Sequence, residues 1–344
     1  RYEARCFKWS WRFIMSEFKV NTITNRDGSY GPQVCGITTF GSSGMQLPSG
    51  PTEFRGGRGR GVFAGGATPS KVNVINTVQI ATTGNASDFG NLSAAKNGVA
   101  ALASATRGVF SGGYTPTQQS TIEYLNFQSQ GGVSDFGDLV STTQDHMSGS
   151  NNTIGIFSRD TTTQFITLAT TGDATDWGGD TTVARYYGMQ SNCSPTRMVI
   201  GGGVVSPTVV GTIDFFTFAT RGDAVAFGEM SVARKGYGAG GNSTRGIFAG
   251  GYTPSFKDTI DFITIASEGN ATDFGNLTTA TRACQNATSS TRCVIAGGVT
   301  PSDEVNTIEF ITISSTGNAS NFGDLQNTPK NPASCSDTHG GLAQ

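Results

Sequence analysis

The chain has 344 residues and a formal net charge of −2. That is long enough to bury a sizeable core without disulfides, and with no Lys/Arg run it has no electrostatic footprint for nucleic acid. Glycine supplies 48 residues, charged residues only 14%, and leucine only nine, which disfavours helices; Thr, Ile, Val and Phe fill the ordered-looking segments and point to an all-β fold. No segment reaches the ~18 apolar residues of a membrane-spanning helix, and the first residues lack the apolar core of a signal peptide, so export through the general secretory route is not expected.

Residues 1–14, RYEARCFKWSWRFI, are basic and aromatic, unlike anything after them. They read as upstream or added sequence ahead of Met15. Residues 15–58 hold KVNTIT, an Asp-Gly turn at NRDGS and the strand-like QVCGITTF, followed by the Gly/Ser/Pro-rich GSSGMQLPSG. This predicts a short N-terminal β arm and a linker, suited to anchoring on another protein or on sister subunits, or else packed on the flank of the main domain.

From residue 59 to 344 one sentence is written repeatedly. Repeats start near Arg60, Arg107, Ile154, Arg197, Arg245 and Arg292, and the aromatic of a DFG-like step recurs at Phe89, Phe136, Trp177, Phe227, Phe274 and Phe322, 41 to 50 residues apart. Each unit runs through a small-residue segment, an apolar run closed by two glycines, a Thr-Pro turn, an alternating strand, a Gly-Asn turn and a last short strand, which makes four strands per unit. The double glycines Gly65-Gly66, Gly112-Gly113, Gly250-Gly251 and Gly297-Gly298 mark places where the backbone turns tightly or packs too closely for a Cβ. In TIDFITIAS, Ile260, Phe262 and Thr264 face one side and Asp261, Ile263 and Ile265 the other. Both faces are largely apolar, so the strand lies between two layers.

Four-stranded units of this length predict blades of a β-propeller. The first unit lacks its own small-residue strand, while KNPASCSDTHGG at 330–341 repeats the start of a seventh unit and then stops. The tail is therefore expected to supply the missing strand of blade one and to close a ring of six.

The order of apolar run, double glycine, alternating strand with an aromatic, and final aromatic resembles kelch repeats. Tyr124, Phe215, Phe262 and Phe310 fill the family's third-strand aromatic position, and Phe replaces its fourth-strand Trp everywhere except Trp177. The resemblance implies a kelch-like propeller over residues 60–341 and leaves function open, since such propellers include enzymes, actin binders and adaptors. The N-terminal MSEFKVNTITNRDGSYGPQVCGITTF, the recurrent TIDFITIATTGNATDFG-type unit and the ending CSDTHGG are also similar to structural proteins of tailed bacteriophages infecting marine cyanobacteria. That resemblance implies a virion component, a tail fibre or other appendage, with no catalytic residue, whose partners are other virion proteins or a host-surface glycan or protein.

The chemistry visible in the residues is sparse. Six cysteines (Cys6, Cys35, Cys193, Cys284, Cys293, Cys335) include no CxxC pair and stand beside only two histidines, His146 and His339, so zinc and copper sites are not expected and the thiols read as reduced structural residues. No cofactor is expected. The segment TGDATDWGG at residues 171–179 has the look of an Asp-bearing sialidase turn, yet its variants occur in nearly every unit, as a structural turn would. Nine Asn-x-Ser/Thr triplets, Asn85, Asn270 and Asn286 among them, are explained by the same turn composition. The turns after the double glycines should gather on one rim, where Tyr114 and Tyr252 with Lys71, Lys257 and Asp303 are the candidate ligand-binding residues. The third unit, GIFSRDTTTQF, lacks both the double glycine and the Thr-Pro turn and should leave a notch in that rim. A non-enzymatic virion adhesion or structural protein is the favoured reading; an intracellular protein-interaction propeller and a glycan-active enzyme are the alternatives.

Overall fold

A computed structural model describes residues 59–338 with the exception of Met189. The predicted N-terminal arm and residues 1–14 lie outside the described residues. Within them the protein is all-β, and its main sheets are six four-stranded antiparallel blades arranged in a ring, a six-bladed β-propeller. Blade two shows the order shared by all, with longer third and fourth strands than the rest: an inner strand Ala100–Ala103, then Arg107–Ser111, then Gln119–Asn126, and an outer strand Ser134–Thr143.

Blade one is built from both ends of the described chain. Its inner strand is Ala333–Ser336, which pairs antiparallel with Arg60–Ala64 in the register Gly61↔Ser336 to Ala64↔Ala333. The expected closing strand is thus in place, and Asp337 Oδ1 accepts the backbone N–H of Arg60 at 2.7 Å, tying the two ends together.

The core is distributed between blades, because each twisted sheet is apolar on both faces and covers its neighbour. Blades six and one, for example, share Phe63, Val78 and Ile80 with Val294, Ile308 and Phe322. Within a blade, the third-strand aromatic meets the outer-strand aromatic edge to face: Tyr124–Phe136, Phe215–Phe227, Phe262–Phe274 and Phe310–Phe322 have centroids about 6 Å apart. Phe165–Trp177 supplies the same pair in blade three. The repeat-start arginine stacks over this pair and reaches across the seam. Arg245 lies 4.7 Å from the centre of Phe262 and donates to Ile313 O of the next blade at 2.9 Å.

The DFG-like step is the stitch of every seam. At the closing seam Gly84 N donates to Phe322 O and Ala86 N to Asp324 O, both at 2.8 Å, while Asn85 Oδ1 accepts Asp324 N at 3.1 Å. Asn270 and Asn318 repeat the side-chain bond, and Asp173 and Asp223 replace them at two further seams. The Asn or Asp that follows the turn glycine is therefore occupied, at five seams, in holding one blade to the next, as the structural reading of those turns expects.

The glycine of this step admits no side chain. A Cβ at Gly90, whose φ is +151°, would lie 2.0 Å from Gly131 O across the seam, whereas a Cβ at Gly132 would meet Asn91 O at an ordinary 3.4 Å. Gly90→Ala is expected to cost at least ~2 kcal/mol by forcing blades one and two apart, and Gly132→Ala less than about 0.5 kcal/mol. Urea midpoints of the two variants against the parent check the contrast.

Candidate functional site

The axial channel is a narrow space. The inner strands that line it are rich in Ala, Ser and Gly, and hydroxyls knit neighbouring strands: Ser148 donates to Ala101 O and Ser334 to Asn286 O. Gln190 then crosses the axis, donating from Nε2 to Asn286 O at 3.0 Å and Ser334 O at 2.9 Å and accepting from Asn286 N at 2.9 Å. About 50 Å³ of free space remains there, room for a water or two.

The rim turns do gather, each double glycine launching a small hairpin that also bridges to the segment entering its own blade's inner strand. Both residues of the pair adopt left-handed conformations, φ +65° and +97° at Gly65 and Gly66, and a Cβ at Gly65 would strike Lys96 O at 2.7 Å. Of the predicted rim residues, only Lys71 and Tyr114 come together across blades. Lys71 Nζ lies 4.2 Å from the Tyr114 ring centre and donates to Thr115 O, and Tyr114 is exposed. Tyr252 packs edge-on against Phe256, with the Arg282 guanidinium 5.5 Å from the Tyr252 ring. Lys257 donates to Ser255 within the same hairpin, at 3.3 Å. Asp303 uses its carboxylate to accept Glu304 N in its own turn. The five residues thus form three separate surface groups and no single site.

The notch is where the rim changes character. In blade three the second strand runs straight on through Ile154–Arg159 and turns back at once into Thr162–Thr167, with Ser158, Arg159 and Asp160 standing where the other blades have Ala, Ser or Gly followed by Gly-Gly. On the facing side the outer strand of blade two extends to Thr143, twice as long as most of its counterparts, and pairs with Gln119. A cavity of about 220 Å³ opens between them, lined by Gln118, Ser141, Thr142, Arg159, Thr162 and Gln164, with Phe157 and His146 among its deeper residues.

Three groups give the notch its chemistry. Gln164 holds the wall by accepting Val140 N at 2.8 Å. Arg159 donates from Nη1 to Gln144 O at 2.5 Å and from Nε to Asp160 at 3.3 Å. His146 is 1% exposed, packs edge-on against Phe157, and is hydrogen-bonded from Nε2 to Ser111 Oγ at 2.9 Å, while its Nδ1 has no protein partner. Burial, helped by the Arg159 charge, pushes its pKa down to about 3, so the ring is neutral. A neutral imidazole, amides and hydroxyls around an aromatic floor can exchange hydrogen bonds with a polar uncharged ligand.

Sequence reasoning located the notch but assigned none of these side chains to it. The available signal was Arg159 at a position that is glycine in the five other blades. Among the described residues no group of three or more His, Cys, Asp or Glu side chains is placed to hold a metal ion, and Cys193, Cys284, Cys293 and Cys335 are buried free thiols whose pKa values burial raises. A scan against protein-family models and a search of curated proteins gave no match to the chain.

The His146 shift has a definite sign. The unfolded chain takes a proton near pH 6.5 and the folded ring does so only near 3, so stability falls as the pH drops through that window, by up to roughly 1.4 kcal/mol per pH unit from this group. His146→Gln should flatten the acid limb of the stability curve between these values and leave it unchanged above pH 7, as measured by urea unfolding at a series of pH values.

Proposed function

We propose that the protein is a non-enzymatic, kelch-like propeller of a phage virion, a component of a tail fibre or similar appendage, that binds host-surface carbohydrate through the notch of its third blade. The observation that carries the binding part is the cavity between blades two and three, where an aromatic ring, a buried neutral histidine, two amides and several hydroxyls converge on a space suited to one sugar ring. The virion part rests on the resemblance of the N-terminal segment, the repeat unit and the CSDTHGG ending to structural proteins of cyanobacterial phages. The kelch-like part rests on the double glycines and the paired third- and fourth-strand aromatics.

The absence of catalysis in this reading is supported by the roles of the carboxylates. Asp173 and Asp223 accept backbone N–H groups across the seams, which leaves these two carboxylates serving the ring. The cation-covered aromatics on the rim, exposed Tyr114 and half-buried Tyr252, favour one alternative, a protein partner contacted through these rings.

Residues 15–344 are expected to bind a subset of immobilised glycans, and the double variant R159A/T162A to reduce that signal at least tenfold while melting at the parental temperature. Lys257→Ala, on a distant hairpin, should bind as the parent does. Mass spectrometry of purified phage particles is expected to find the chain in the virion; its absence from particles would sink the virion reading, and a glycan array without hits would shift the rim to a protein ligand.

A further inference from the structure

The same position of the third strand, its third residue in five blades and the fifth in the longer strand of blade two, is polar and enclosed in every blade: Asn76, Glu123, Gln164, Asp214, Asp261 and Glu309. In three blades it is a carboxylate met by a buried cation from the segment that follows the preceding outer strand. Lys96 Nζ lies 2.5 Å from Glu123, Arg234 Nη2 lies 3.0 Å from Asp261, and Arg185 pairs with Asp214. In two blades it is an amide satisfied by neutral groups, Gln326 N and Asn327 for Asn76 and Val140 N for Gln164. A buried carboxylate needs a cation and a buried amide does not, so these five blades are internally consistent.

Blade six breaks the rule. Glu309 is a buried carboxylate that accepts from Thr278 N at 3.2 Å and from the Thr278 hydroxyl, but the position corresponding to Arg234 and Lys96, seven residues after the outer-strand aromatic, is Thr281. In place of the cation there is a cavity of about 80 Å³ bounded by Glu309, Thr278, Thr281, Ile295, Gly297 and Thr307. The carbonyl acceptors that serve the sister arginines are repeated around it. Arg185 donates to Gly202 O and Thr212 O, and Arg234 to Phe248 O; the equivalent residues of blade six are Gly297, Thr307 and Ile295, all of which line the cavity. With no cation beside it, burial pushes the Glu309 carboxyl up to about 6, against the downward pull of Thr278 N–H.

We propose that this cavity is a binding site for a guanidinium group, held by Glu309 and by the carbonyls that its sister blades offer to their own arginines. The group can come from a small free guanidinium compound or from an arginine side chain of a protein partner. One head group with several N–H donors satisfies the carboxylate and the carbonyls together, which a spherical ion with a single acidic ligand does less completely.

The probe is guanidinium chloride at up to 20 mM, titrated at pH 8 into residues 15–344 at constant ionic strength set with NaCl, with binding followed by ligand-observed NMR and by melting temperature. Saturable binding and a melting temperature above the NaCl control are expected. Glu309→Gln should weaken the binding at least tenfold. Thr281→Arg, which places a tethered guanidinium in the cavity, should abolish it. A parallel titration with N-acetyl-arginine methylamide separates the sources, since binding of the amide as well as the free ion indicates an arginine side chain, and binding of the free ion alone indicates a small compound. Equal response to guanidinium and NaCl in the parent chain, or binding that survives Glu309→Gln undiminished, would overturn the proposal whether or not Thr281→Arg folds.

Discussion

Everything in this propeller depends on the contact between an outer-strand glycine and the turn carbonyl of the next blade. Blades one and two approach so closely at Gly90 and Gly131 that no Cβ fits, and the closing seam repeats the contact at Gly323 and Gly84, where a Cβ would lie 2.3 Å from the carbonyl oxygen. That proximity allows the backbone of one blade to donate directly to the backbone of its neighbour, a sheet-like bond between separate sheets. Once the outer edges are tied, the apolar faces are held at packing distance and the inner strands converge on a narrow axis lined largely by Ala, Ser and Gly and crossed by Gln190. The glycine-rich composition is thus a consequence of ring geometry and not of flexibility.

A second network acts nearer the middle of each seam and shows how departures are accommodated. Five blades send the repeat-start arginine over an aromatic of their own, in blade one Phe89 alone because Thr77 takes the third-strand position, and onto a carbonyl of the next blade. Blade three has Ile154 instead, and there Arg221 comes from the opposite side of the seam, its guanidinium 4.0 Å from the centre of Phe165 and 5.7 Å from that of Trp177. The cation–aromatic contact is preserved while its donor changes blade. Arg221 has φ +55°, a conformation costly to a non-glycine residue, which fits a side chain held in place by what it covers.

The fold was legible because periodicity multiplies weak signals. Any single DFG or double glycine is ambiguous, but six registers of the same order fix four strands per blade, and the split unit at the two ends fixes closure. Features that differ from blade to blade were not legible. Asp261 and Arg234 are 27 residues apart and on different blades, so their pairing appears only when the seam is formed. The left-handed residues that lead into the inner strands, Gly98, Asp145, Tyr187, Gly236, Ala283 and Asn331, form another ring, and successive members are joined by backbone bonds such as Asp145 N to Gly98 O at 2.8 Å. Only two of the six are glycine, because the geometry is imposed by the neighbouring blade and local preference is overridden. The rim residues chosen for exposure and aromaticity were placed on the correct edge yet do not converge, since convergence depends on hairpin lengths that the repeat leaves free.

Function in such a ring is most readily sought where the repeat fails. A residue kept in five of the six blades has a structural duty in each of them, and the Asn and Asp side chains of the turns, the repeat-start arginines and the paired aromatics each have one. Blade three, having lost its hairpin, leaves Arg159, His146 and Gln164 around a cavity. Blade six, having lost its buried cation, leaves Glu309 facing a cavity. These departures lie on non-adjacent seams, so each can be altered while the rest of the ring keeps its stitching. A repeat architecture of this kind separates the residues that close the ring from those free to meet a ligand, and the exceptions to the pattern identify the second set.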